Sequence, residues 1–373
     1  MAGPWRAILW DRDADVHVEW RDASPLRLHG PPLRRADCNT PVLTEGGTIL
    51  ALPAHFTPIG HSYRRVGRPP FHFREAGAAI RILNDPDPRA GKWVESIWRA
   101  PDATLYGWYH CEAPAPCPQP TVTYRIGALR SRDDGVTWQD LGPVLTPRPD
   151  EIDCSFDNGW FSGGFGDFTV VPDRSGRFFL IHLTSYHADD SAQGIVVARY
   201  PIGDRDAPGG ALDWWTDAGW QPRHRFPPQP LIRPRLGWRH ASPDAHWGPA
   251  VHENLDIDQF VMLLNRTHDG ERTLVQRGVA VSFNRDAGNP AGWTPPRTLI
   301  QGAIWYPQAI APDGSDRRGG GSMRFFVSGF SAWDIRFRRG PPRQGTLPLP
   351  AAFDEGDLAR VFGPRQPDGG FGS

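Results

Sequence analysis

Residues 164–183 read Gly-Phe-Gly-Asp-Phe, then a turn-forming cluster, then the apolar run Phe178-Phe-Leu-Ile-His-Leu. The same order of polar-aromatic motif, turn and short apolar strand occurs four more times. Thr48-Ile-Leu-Ala-Leu, Thr104-Leu-Tyr-Gly-Trp-Tyr, Phe260-Val-Met-Leu-Leu-Asn and Met323-Arg-Phe-Phe-Val-Ser are the other strands. Ahead of them stand Asp37-Cys-Asn-Thr-Pro, Trp93-Val-Glu-Ser-Ile-Trp, Trp247-Gly-Pro-Ala-Val-His-Glu and Trp305-Tyr-Pro-Gln. Self-similarity at roughly 55 to 80 residues, in sheet-type segments without helical periodicity, predicts an all-β, five-bladed β-propeller. The innermost strands of such a ring converge on one axis. Asp37, Glu95 and Asp167 would then face one another across one pocket.

A second alternating strand follows the apolar one in four units, starting at Gly77-Ala-Ala-Ile, Ile126-Gly-Ala-Leu, Gly194-Ile-Val-Val and Gly278-Val-Ala-Val. The fifth unit ends early, at Ser331-Ala-Trp-Asp-Ile-Arg-Phe. Val16-His-Val-Glu-Trp alternates correctly and is expected to supply its outer strand, which would remove an exposed sheet edge. Residues 1–338 therefore read as one propeller domain. Residues 339–373 read as a Pro/Gly-rich tail with little power to form a core, except around Leu358 to Phe362. Residues 221–244 make a long connection between the third and fourth blades, and His268, Asp269 and Glu271 a solvated turn.

Composition agrees with this reading. The chain has 373 residues, and its 41 glycines and 40 prolines exceed what a helical protein carries. Sixteen tryptophans suit packed sheets and sugar-binding clefts alike. A net charge of −1 offers no basic field for nucleic acid and no basic amphipathic stretch for a membrane surface. No apolar run reaches the roughly 18 residues of a membrane span, and the N-terminus lacks the apolar core of a secretory signal. A soluble, cytoplasmic protein is expected. Oligomeric state is not legible. Cys38, Cys111, Cys117 and Cys154 lack zinc-type spacing and read as buried thiols, with a Cys111–Cys117 bridge the alternative for an exported chain.

Ser131-Arg-Asp-Asp-Gly-Val-Thr-Trp138 matches S-x-D-x-G-x-T-W, the Asp-box of sialidases and other propellers, at every fixed position. Its expected work is structural: Asp and Gly turn the hairpin, the hydroxyls bind the turn backbone, and Trp packs beneath. The motif does not make the chain a sialidase, since no arginine trio for a substrate carboxylate can be assigned.

The chemistry is expected from the three carboxylates. A glycosidase needs one carboxyl group to protonate the leaving oxygen and another to attack or to activate water. Trp93, Trp98 and Phe168 would supply apolar surroundings that raise the acid's pKa, whereas Arg35 beside Asp37 would favour an ionised group. Asn39, His110, Trp247, His252, Glu253, Tyr306 and Gln308 are the expected substrate-binding residues. His246, Asn265 and Trp305 lie near the same axis, and Glu253 alternates with His252, so one of that pair should face inward. Plain alternatives are an Asp37 that caps a turn and a Glu95 paired with Arg99. No cofactor and no catalytic metal are expected; a structural metal ion in the channel is left open.

This arrangement resembles the five-bladed propeller glycosidases, the group of arabinanases, β-xylosidases, invertases and levansucrases. Asp37-Cys-Asn-Thr-Pro looks like their first-blade motif, whose Asp is base or nucleophile. The resemblance implies a tuning Asp from the second blade and an acid Glu from the third; here Glu95 comes second and Asp167 third. Trp108-Tyr-His, Trp247-Gly-Pro-Ala-Val-His and Met262-Leu-Leu-Asn-Arg also resemble bacterial glycosidase-like and sialidase-like propellers. The expectation is a glycoside hydrolase acting on a carbohydrate, with Asp37 as base or nucleophile, Glu95 as acid and Asp167 as orienting carboxylate. The rivals are a non-catalytic carbohydrate-binding propeller and a glycoside phosphorylase or lyase, arginines such as Arg65, Arg99 and Arg125 leaving room for a phosphate site.

Overall fold

The computed structural model describes residues 3–30, 35–55, 61–73, 77–267, 276–302, 305–342 and 348–353. The strands form five successive antiparallel meanders. The first runs through Val42–Glu45, Thr48–Ala51 and His61–Arg68, the second through Gly91–Arg99, Leu105–Pro114, Val122–Ser131 and Thr137–Leu145. The third comprises Phe161–Pro172, Phe178–Ser185, Gly194–Pro201, Asp213–Thr216 and Gly219–Pro222; the fourth His246–Asn254, Gln259–Thr267, Gln276–Asn284 and Arg297–Gln301. In the fifth, Gln308–Ile310, Met323–Val327 and Phe330–Arg339 are completed by Val16–Arg27 and Arg6–Asp11. The apolar runs are the second strands. The motifs ahead of them lie on or just before the first strands.

Hydrogen bonds join the five sheets into a ring. The Val94 amide donates to Ser62 Oγ at 2.8 Å, linking first and second sheets, and the Val170 amide donates to Ser96 Oγ at 2.9 Å. Thr169 Oγ1 donates to the Pro249 carbonyl at 2.6 Å, and the Tyr306 amide to Asn265 Oδ1 at 2.8 Å. Gln308 closes the circle: its Nε2 donates to the Thr40 carbonyl at 2.7 Å, and its Oε1 accepts the Thr40 amide at 3.0 Å. Apolar faces fill the spaces between sheets. Trp108, Phe165, Phe179 and Trp214 pack between the second and third, and Leu180, Val251, Phe260 and Met262 between the third and fourth.

The N-terminal strand closes the fifth sheet as expected, with Val18 opposite Phe337 and Trp20 opposite Ile335. The first sheet differs from expectation. Its third strand is His61–Arg68, and the stretch from Gly77 yields only the pairs Ala78–Ala79 and Arg81–Ile82, the latter lying parallel to Thr137–Trp138 of the second sheet. Beyond residue 338, Ala351–Ala352 pairs with Ile300–Gln301, and the Phe353 ring stacks on Trp333 at 4.6 Å. His268, Asp269, Glu271 and Leu358 to Phe362 lie outside the described residues.

Ser131–Trp138 makes the turn between the two outer strands of the second sheet. Ser131 Oγ accepts the Gly135 amide at 2.9 Å, Thr137 Oγ1 donates to Asp133 Oδ2 at 2.6 Å, and the fully buried Trp138 donates its indole N–H to the Gly135 carbonyl at 3.0 Å. Asp133 itself is exposed at this periphery. The disulfide joins Cys117 to Cys154 and not to Cys111, which stays a buried thiol like Cys38. Cys111 packs in the apolar cluster of Val94, Leu105 and Trp138. Among the described residues no helix is long and apolar enough to cross a membrane.

Candidate active site

Three inner strands break their ladder at the same level of the ring. The register shifts between Val94 and Ser96, between Gly166 and Phe168, and between Trp247 and Ala250. Glu95 and Asp167 are thus the extra residues of β-bulges, which re-aim a side chain out of the pleat. Asp167 has φ of 45° and Tyr306 of 57°, left-handed conformations that a non-glycine residue adopts at a cost. Gly248, at φ of 59°, has no room for a side chain: a Cβ there would come within 2.5 Å of Asn265 Nδ2. A Cβ on Gly166 would lie 2.3 Å from the His110 ring, so this glycine lets the imidazole lie against the third inner strand.

These distortions gather Glu95, Asp167 and His110, all buried, with ligand atoms within 4.8 Å of one another. Glu95 Oε2 accepts the Phe168 amide at 2.8 Å, and His110 Nδ1 accepts the Asp167 amide at 3.1 Å. Asp167 Oδ2 accepts the Tyr186 hydroxyl at 2.5 Å, and Oδ1 lies 3.5 Å from the Tyr306 hydroxyl. Asp37, just ahead of the first strand and held by its amide on the Ala54 carbonyl at 2.9 Å, is close enough for its charge to be felt by both carboxylates' surroundings. Glu112 completes the group, 3.8 Å from His110 Nε2.

Burial dominates the electrostatics. It pushes Glu95 up to about 8, helped by the charge of Asp167, against the pull of His110 and the Phe168 amide. Asp37 is also pushed up, to about 7: desolvation outweighs Arg35, so the expectation of a plainly ionised Asp37 does not hold. Asp167 is raised by burial, while His110 and the two tyrosine hydroxyls oppose the rise. Of the Glu95–Asp167 pair, Asp167 accepts two hydroxyls and is the better place for the negative charge; the proton belongs on Glu95. For His110 burial pulls downward, but contact with Glu112 and the charges of Asp167 and Glu95 outweigh it and raise the ring to about 9. The Asp167 amide pulls the other way, because only an unprotonated Nδ1 can accept it. This direct bond places the ring proton on Nε2, facing Glu112.

Of the expected binding residues, His110 belongs to this group and Tyr306 reaches it through Asp167, while Trp247 and Asn39 lie one contact further out. Trp247 meets Tyr306 edge-on at 5.5 Å, and Asn39 Nδ2 donates to the Pro249 carbonyl at 3.3 Å. Gln308 spends its amide on Thr40. His252 and Glu253 are elsewhere. The His252 ring packs on Phe337 at 5.7 Å, where burial pushes it down to about 3, and Glu253 pairs with Arg174 and Arg318 at the surface. They lie beyond the bulge at residues 248–249, past the level of the carboxylates. Trp98 and Phe168 face the core between the second and third sheets; only the Phe168 amide reaches Glu95. Arg99 pairs with Glu45 and Asp134 and leaves Glu95 alone. His246 is pushed down to about 4 by burial and by Arg266, and Asn265 serves as a brace between Tyr306 and Trp247.

Sequence reading missed Glu112, Tyr186 and the aromatic wall of Tyr124, Phe156, Phe161 and Trp238. Tyr186 follows immediately on the apolar strand Phe178–Ser185, and Trp238 comes from the long connection after the third sheet. Glu95, His110 and Asp167 together could hold a divalent metal, since a nitrogen and two carboxylate oxygens suit one. As placed, His110 Nδ1 is already occupied by the Asp167 amide. The arrangement offers a buried carboxylic acid, a carboxylate beside it that two hydroxyls hold, and a third carboxyl, Asp37, whose charge acts on both.

No protein-family model matches the chain, and no curated protein does. Solved structures of similar shape exist. The catalytic domain of the Coprinopsis cinerea α-L-arabinofuranosidase is 10% identical, with a TM-score of 0.49 over 89% of this chain and 94% of that one. The Penicillium chrysogenum α-L-arabinanase is 15% identical, with a TM-score of 0.47 over 82% and 80%. The Phanerochaete chrysosporium exo-β-1,3-galactanase is 10% identical, with a TM-score of 0.47 over 84% of this chain, which spans 63% of that protein.

Proposed function

We propose that this protein is a glycoside hydrolase whose acid is Glu95. The observation that supports the reading is that Glu95 and Asp167, from consecutive sheets, meet in one buried cluster, with half-buried Asp37 of the first sheet near enough for its charge to act on both; burial lifts Glu95 to about 8 and Asp37 to about 7. Glu95, protonated at neutral pH, donates to the leaving oxygen. Asp37, once ionised, attacks the anomeric carbon or deprotonates the water that does. Asp167, held by Tyr186 and Tyr306, keeps its charge beside Glu95 and so keeps the proton there. No step requires a metal, so dialysis against a chelator should leave turnover intact.

The cysteines bear on the compartment. The Cys117–Cys154 bridge fits an oxidising environment better than the cytoplasm suggested by the N-terminal residues.

A panel of aryl glycosides, assayed with and without phosphate, tests the activity. Hydrolysis independent of phosphate is the expected outcome, and phosphate-dependent release of a sugar phosphate would transfer the site to a phosphorylase. The pH profile of kcat/KM should be a bell. Its acid limb reports loss of ionised Asp37 as pH falls through about 7, and its alkaline limb loss of protonated Glu95 as pH rises through about 8. A profile flat from 6 to 9 would remove both assignments.

A further inference from the structure

The disulfide found among the described residues spans the two elements that carry the site. Cys117 lies on the loop that follows Leu105–Pro114, the strand of His110 and Glu112. Cys154 lies on the segment that leads into Phe161–Pro172, the strand of Asp167. Neither place is held firmly by its own backbone. Pro114, Pro116, Pro118 and Pro120 alternate through the first loop and have no amide hydrogen to give. Its own backbone bonds are those of the Ala115 amide to the Thr121 carbonyl at 2.9 Å and of the Thr121 amide to the Gln119 carbonyl at 2.8 Å. Residues 153–160 are all turn and bend. Gln119 Nε2 donates to the Cys154 carbonyl beside the bridge, and the two chains meet again where the Val122 amide donates to the Trp160 carbonyl at 3.0 Å.

Between those ties the segment builds the aromatic wall. Phe156 and Asn158 are buried, while Ser155, Asp157 and Trp160 are exposed. Phe156 stands in the wall with Phe161 and Trp238. Asn158 Nδ2 donates to the Trp238 carbonyl at 2.9 Å and to the Phe161 carbonyl at 3.1 Å. Trp238 meets the Tyr186 ring edge-on at 5.0 Å, and the Phe161 ring lies 4.5 Å from it. The Tyr186 hydroxyl in turn holds Asp167. Contact is therefore continuous from the bridge to the carboxylate. Cys117 and Cys154 are half-buried, within reach of a small thiol, whereas Cys38 and Cys111 are buried.

We infer that the Cys117–Cys154 bridge is a redox-sensitive clasp. Closed, it fixes residues 153–160 and the wall that steadies Asp167; opened, it frees both, so that catalysis is confined to oxidising surroundings. The clasp stands apart from the hydrolase reading, and only its effect on catalysis rests on that reading. A small dithiol opens it. One thiolate attacks a bridge sulfur, the second closes the dithiol into its own cyclic disulfide, and the electron pair and both hydrogens finish on Cys117 and Cys154. The test uses the full chain with and without dithiothreitol, with alkylation at Cys117 and Cys154 marking the cut. Hydrogen exchange read by mass spectrometry should quicken about tenfold at residues 155–161 and stay unchanged in Phe178–Ser185. Aryl-glycoside kcat should fall about tenfold and return when a small disulfide reoxidises the pair. Cys117→Ser combined with Cys154→Ser should match the reduced chain and ignore the dithiol. Exchange unchanged by the cut overturns the inference. An equal rise in both regions also overturns it, since that marks a bridge that only stabilises the whole ring. Should the double variant fail to fold, reduction of the folded wild-type protein still decides. Loosening of residues 155–161 in a protein that cleaves no glycoside supports the clasp and sinks the hydrolase. Full turnover by the cut chain does the reverse.

Discussion

Glu95 is buried to 3% exposure, and the proton that this burial favours is the one the proposed chemistry would use. If it is the acid, Glu95→Gln should cost about 10²–10⁴-fold on glycosides with poor leaving groups and far less on activated aryl glycosides, which need little protonation. Asp37→Asn should depress both classes alike, because attack on the anomeric carbon is common to both. Equal losses on the two classes for Glu95→Gln would dismiss the acid assignment. A second outcome concerns stability. A carboxyl whose folded pKa is raised contributes stability fully below its unfolded pKa, near 4.5, and loses it as pH rises to about 8. Glu95→Gln keeps an oxygen for the Phe168 amide and removes the ionisation. It should be as stable as the wild type at pH 4 and more stable at pH 8, by on the order of 1–3 kcal/mol in denaturant melts. A variant less stable at both pH values would show that Glu95 is a structural group. Asp37, Glu95 and Asp167 were legible in the sequence because each precedes an apolar strand at a similar distance. Glu112 and Tyr186 were not, since no residue-type signal separates a lone Glu or Tyr at a strand end from an ordinary surface group.

At the scale of the element, the Asp-box hairpin was readable residue by residue because its bonds are local: Ser131, Asp133, Gly135, Thr137 and Trp138 satisfy one another. Asp133→Ala should lower stability by about 1–2 kcal/mol and leave kcat and KM unchanged, as the turn lies on the outer edge of its sheet. A changed KM would bring the hairpin to the substrate after all. Elements fixed by distant contacts were harder to see. His61–Arg68 is a strand although its sequence is polar: it pairs with Thr48–Ala51, and its arginines reach distant carbonyls, Arg65 that of Leu28 and Arg64 that of Asp134. Alternation pointed instead at the stretch from Gly77, whose apolar residues pack beside the neighbouring sheet. The misplacing of His252 and Glu253 has a related cause. Period-2 alternation carries no mark of the bulge at residues 248–249, and beyond it the strand has already left the site.

For the whole molecule, ring closure is the feature on which the site depends, because its residues come from every sector of the ring. The closing strand Val16–Arg27 buries Val16, Val18 and Trp20, and the Trp20 ring stacks on Trp333 at 5.4 Å and meets Phe325 at 5.2 Å. Without it, Phe330–Arg339 would become an unpaired edge with an apolar face, a template for association. The fifth sheet also supplies Tyr306 and Gln308, so loosening it reaches Asp167 and the first inner segment. A chain lacking residues 1–27 should therefore aggregate or melt without a cooperative transition. A synthetic peptide of residues 3–30, added during refolding, should restore solubility and turnover together, since closure by this strand needs pairing and no covalent link. Trp20→Ala within that peptide should weaken rescue sharply, as deleting a buried tryptophan typically costs about 3–5 kcal/mol. Sedimentation and aryl-glycoside turnover read both effects. A truncated chain that stays monomeric, melts like the full one and turns over substrate would show that the ring holds through the Gln308–Thr40 contact alone.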